Sequence, residues 1–113
     1  MLLTFPQFVA ITLSILTSNG IDTYQPTLVT PEDRSIRVLE GVPVHSEQRE
    51  ALLDWINRSG PPASYFFAVR SGLNEVTAGS CVSSKCEFVS IRRLNGQFEK
   101  STIAEPKWWR IDR

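Results

Sequence analysis

Cys81 and Cys86 stand in the run Cys-Val-Ser-Ser-Lys-Cys and are the only cysteines of the chain. Four intervening residues suit a hairpin loop that brings two Cβ atoms within bonding distance, so the pair is expected to form a disulfide. Free buried thiols are the first alternative. A redox dithiol usually has two intervening residues at a helix start, and a zinc site needs four ligands. Neither pattern is present, because the single histidine, His45, is far away in sequence.

The second cluster is Lys107-Trp108-Trp109-Arg110. Trp and Arg are the residues that most often carry binding energy at protein interfaces, so these four are the candidate binding residues. The competing assignment places one tryptophan in the core and leaves the other on a strand edge. His45 and carboxylates such as Glu75 are the candidates for hydrolytic chemistry, although no serine elbow accompanies the histidine. The acid pair Glu32-Asp33 reads as solvated loop charge. Asn57-Arg58-Ser59 fits the glycan acceptor pattern, which makes Asn57 a candidate modification site in a eukaryotic secretory setting. The motifs for phosphate, dinucleotide or metal binding are missing from the sequence, so no cofactor is expected.

These side chains sit in a chain of 113 residues, enough for one domain. Lysine plus arginine equals aspartate plus glutamate at 12 each, which argues against nucleic acid as a partner. The balance conceals a polarity: residues 21–57 carry a net charge of −4 and residues 85–113 a net charge of +3. Attraction between the halves explains this at least as simply as the steering of a partner.

Residues 1–20 contain no charged side chain, and Phe8 to Leu16 form a compact apolar run. That length fits the apolar core of an export leader and is short for a membrane span. Ser18 and Gly20 place small residues correctly for a cut after Gly20. No basic residue precedes the run, so an uncleaved anchor and an apolar element of the domain core are the other two possibilities. The expected organisation is a leader or anchor over 1–20, an extended linker over 21–34 and a small domain over 35–113.

Within that domain, residues 35–40 have strand character. Ser46 can cap a helix that ends near Arg58, before Gly60-Pro61-Pro62. Ser64 to Arg70 reads as a central strand covered on both faces. Glu75 to Cys81 reads as a weaker strand in which Gly79 marks a bulge. Asn95-Gly96 is a strong two-residue hairpin signal. It sets the pairs Leu94 with Gln97, Arg92 with Glu99, Ser90 with Ser101 and Phe88 with Ile103. On the opposite face it pairs Arg93 with Phe98, Ile91 with Lys100 and Val89 with Thr102. Arg92 is expected to bond Glu99, and Arg93 to lie on the Phe98 ring.

The expected class is therefore α+β, one helix packed on a small, mainly antiparallel sheet in the order β-α-β-β-β-β. The expected function is that of an exported, non-enzymatic module that binds another protein, such as an envelope accessory, inhibitor or immunity-type protein. A small exported hydrolase using carboxylates or His45 is one alternative. A subunit held to the membrane through residues 1–20 is another. The expected location is secreted or periplasmic.

Overall fold

The computed structural model describes residues 3–30, 36–39, 41–42, 48–59 and 62–110. The class is α+β, as expected. The described residues form helices α1 (Phe5–Asn19) and α2 (Gln48–Ser59) and a six-stranded sheet. The strands are β1 (Thr27–Val29), β2 (Ile36–Val38), β3 (Ser64–Gly72), β4 (Glu75–Val82), β5 (Lys85–Leu94) and β6 (Gln97–Ile103). Short 3-10 turns cover Ile21–Thr23 and Lys107–Arg110. The sheet order is β2-β1-β3-β4-β5-β6, and every neighbouring pair is antiparallel.

The pleat sorts side chains onto two faces. Val29, Phe66, Ala68, Val76, Ala78 and Ile91 form one apolar face, covered by Phe8, Val9 and Leu16 of α1. Leu28, Tyr65, Phe67, Val69 and Phe88 form the other, covered by Leu52 and Ile56 of α2 and by Trp109. β3 is therefore buried on both sides, which explains its nearly continuous apolar sequence.

Helix α1 lies within residues 1–20, for which an export leader, an anchor and an apolar element of the domain core are the expected possibilities. It is a capped helix packed on the sheet. Thr4 and Gln7 form a reciprocal capping box: Gln7 N–H donates to Thr4 Oγ1 at 3.3 Å and Thr4 N–H to Gln7 Oε1 at 2.9 Å. Gly20, at φ +76°, ends the helix with its N–H donating to Leu16 O. Phe8, Thr12 and Leu16 recur every four residues and, with Val9, make the buried stripe. Thr12 is tolerated there because its hydroxyl donates to Phe8 O at 2.9 Å. Removing Phe8, Val9 and Leu16 from water stabilises the fold by about 6 kcal/mol in all.

The segment over 21–34, expected as a linker before a domain start at residue 35, carries regular structure. Within 21–34 lies β1, a fully buried strand that joins β2 to β3. Residues 31–35 lie outside the described ones. Gln48, 1% exposed at the start of α2, fixes this region. Its Nε2 donates to Tyr24 O at 3.0 Å and its Oε1 accepts from Arg70 N–H at 2.6 Å. The expected cap of α2, Ser46, lies outside the described residues.

The β5–β6 hairpin has every expected pair, and Arg93 lies 5.5 Å from the Phe98 ring centroid. Two details differ. The pairing runs regularly through Gly79, opposite Phe67, and the irregularity falls instead between Arg70 and Gly72. A Cβ on Gly79 would stand 2.2 Å from the Phe67 ring, so this glycine makes room for an aromatic ring rather than for a bulge. Arg92, expected to bond Glu99, instead has its Nε 3.2 Å from Glu75 Oε2 across the other neighbouring strand.

Candidate functional site

Trp109 is 1% exposed, stacked on Phe67 at 5.2 Å and set edge-on to Phe88 at 5.5 Å. It closes the core below β3 and β5, so the candidate binding cluster at the C-terminal end does not stand together on the surface. Trp108 is half-buried and packs edge-on against Trp109 at 5.9 Å, while Lys107 is exposed. The Arg110 side chain lies outside the described residues. The core assignment weighed for one tryptophan is thus the one the structure displays for Trp109.

Cys81 and Cys86 are cross-strand partners of β4 and β5 with Cα atoms 4.1 Å apart, and they are joined as a disulfide. The Ser83-Ser84 turn brings them together, with Ser83 at φ +56°. Cys81 is buried beneath the α2 side of the sheet, so the bridge staples the core end of this hairpin.

Glu75 sits in a polar network on the α2-side face, at the end of β4. Ser71 Oγ donates to its Oε1 at 2.9 Å and Ser90 Oγ to its Oε2 at 3.0 Å. Thr77 Oγ1 donates to Ser71 Oγ at 2.7 Å. With Arg92 added, both carboxylate oxygens are engaged, which fits a charge held in place to end a sheet face. His45, Glu32 and Asp33 lie outside the described residues. Asn57 is exposed on α2. Among the described residues, no group of three or more His, Cys, Asp or Glu side chains is placed to hold a metal ion. No helix among them is long and apolar enough to cross a membrane.

A concave surface among the described residues lies elsewhere. Because α1 crosses the sheet over β3, its flank and the outer strands β5 and β6 bound an open groove. Near the start of α1 this groove has a volume of about 670 Å³, with Phe5, Pro6 and Val9 on one wall and Val89, Lys100 and Thr102 on the floor. Beyond it, Leu13 and Thr17 face Phe98 and Arg93 across a second hollow of about 780 Å³. The groove is mainly apolar, with Lys100 on its floor and Glu87 and Glu105 at its border. Its outer limit is β6, the last strand of the sheet among the described residues.

Apart from Cys86, none of the groove residues is a candidate from sequence. The available signal was the alternation of β6, which puts Phe98, Lys100 and Thr102 on one face, combined with a helix over that face. Only the packing of residues 5–19 joins the two.

Comparison with protein-family models, with curated proteins and with solved structures found no match. The fold and the groove therefore define a small, disulfide-bonded α+β domain by its own residues.

Proposed function

We propose that the chain is a small non-enzymatic protein-binding module of an exported, oxidising setting, secreted or periplasmic, and that it binds through the groove between α1 and β5–β6. The observation that carries this is the groove itself: apolar side chains of α1 and β5 line it along the border strand β6, with Lys100 in the middle of that strand. Such open, shallow surfaces beside a border strand fit another chain better than they fit a small substrate.

The setting rests on the disulfide, since such bonds persist outside reducing cytoplasm. The apolar, uncharged character of residues 1–20 supports passage through an export route. In this proposal the same residues afterwards fold as α1 and supply a wall of the groove.

The test is site-specific photocrosslinking in the native cell. A crosslinker at Thr102 is expected to give a discrete protein adduct, and one at Asn57, on the opposite layer, to give none. Adducts from Asn57 or Lys107 with none from Thr102 would move the binding surface away from the groove.

A further inference from the structure

We propose that β6 receives an extended peptide as a seventh strand, and that this peptide places an acidic residue opposite Lys100 with apolar residues two positions to either side. The inference rests on the protein-binding reading above and names the partner's chemistry.

The backbone comes first. Asn95-Gly96 closes a two-residue turn on the pair Leu94 and Gln97. A two-residue hairpin closes on a pair that exchanges both hydrogen bonds, and such pairs alternate along an antiparallel ladder. Gln97, Glu99, Ser101 and Ile103 therefore turn their N–H and C=O groups toward β5. Phe98, Lys100 and Thr102 turn theirs outward, where no strand pairs with β6 among the described residues. Three consecutive outward donor–acceptor sets are what strand addition uses.

The side chains of the same three residues lie on the α1 face, opposite Arg93, Ile91 and Val89. A residue paired with each of them on an added strand would project to that face as well, beside the groove. Opposite Thr102 the surroundings are apolar, from Val89, Phe5 and Val9. Opposite Phe98 they are apolar from Phe98 itself and Leu13, with the Arg93 guanidinium engaged over the Phe98 ring. Opposite Lys100 they are cationic. Lys100 is exposed, its cross-strand neighbour is Ile91, and it takes no part in an ion pair among the described residues.

A second copy of this chain is the wrong occupant. The symmetric antiparallel pairing that uses all three outward residues is centred on Lys100 and sets that lysine against itself. Like charges placed directly opposite destabilise a ladder, and lysines on border strands oppose self-association for this reason. The net charge of +3 over residues 85–113 disfavours that arrangement further and favours an acidic strand.

The experiment uses the full chain and a fluorescein-labelled peptide, Thr-Val-Thr-Asp-Thr-Val-Thr, read by anisotropy. Binding is expected, weakened at least about tenfold when the central Asp is replaced by Lys. N-methylation of that Asp removes a ladder donor and is expected to weaken binding by about tenfold, whereas N-methylation of an adjacent Thr, whose N–H points away, changes it less than about twofold. Lys100→Glu is expected to reverse the preference between the Asp and Lys peptides, with its circular dichroism unchanged. Equal response to the two N-methylations, or no binding of either peptide, overturns strand addition. If adducts at Thr102 persist in that case, protein binding through the groove stands and the mode of recognition is what fails.

Discussion

Trp109 shows how little residue type alone says about role. Paired tryptophans flanked by cations resemble a binding hot spot, yet Trp109 is sealed against Phe67 and Phe88. Trp109→Ala is expected to cost about 4 kcal/mol, since it removes a buried ring and leaves a cavity. Trp108→Ala, at a half-buried position, is expected to cost about 1 kcal/mol. Urea denaturation of the two variants separates them, and equal losses would contradict the placement.

Tyr24 offers a second test. Its phenol is buried, and burial pushes it well above the ordinary tyrosine range, offset in part by its hydrogen bond to Thr27 Oγ1 at 2.9 Å. Because the folded value is raised, the stabilisation linked to this group is fully present below the unfolded value of about 10 and is lost as pH rises above it. Stability is therefore expected to fall above about pH 10, and to fall less steeply in Tyr24→Phe. Identical alkaline profiles for the two proteins would show that the phenol is not buried.

At the scale of elements, what could be read in the sequence was what local chemistry decides. Asn95-Gly96 admits a hairpin of one register, and the pairs from Phe88 with Ile103 to Leu94 with Gln97 follow from it. Leu52 and Ile56 of α2 and the apolar run of β3 likewise announced buried surfaces. The rest depended on tertiary packing. β1 has three residues after Pro26, too few to show a period, and it exists because β2 and β3 flank it. In α1, Ile11, Leu13 and Ile15 lie outside the fully buried stripe but remain partly covered, so the helix looks apolar all round and shares its composition with an export leader. Gly79 was misread because glycine in a strand signals both a bulge and a close approach, and only the Phe67 ring distinguishes them. The groove was illegible for the same reason as α1, which forms its wall.

Two predictions belong to elements. A chain of residues 21–113 exposes Phe66, Ala68, Val76 and Ile91, and loses burial worth about 6 kcal/mol, comparable to the whole stability of a small domain. It is expected to unfold without a cooperative transition and to bind an apolar dye. A sharp thermal transition close to that of the full chain would show that α1 is dispensable. Reduction of Cys81–Cys86 is expected to cost about 2 kcal/mol while leaving the fold intact, because the closed loop is short. Complete unfolding on reduction at room temperature would contradict the ranking of the apolar core above the bridge.

For the whole molecule, the N-terminal run meets two demands together. As α1 it covers one face of the sheet, and with β5 and β6 it shapes the groove to which binding is assigned. The Cys81–Cys86 bridge accords with the oxidising setting proposed for it. The decisive measurement is the intact mass and N-terminal peptide map of the protein isolated from its native cell after thiol trapping. The expected result is a chain that retains residues 5–19 and in which Cys81 and Cys86 are inaccessible to the trapping reagent. A mature chain beginning at Ile21, or one with both thiols alkylated, would contradict it.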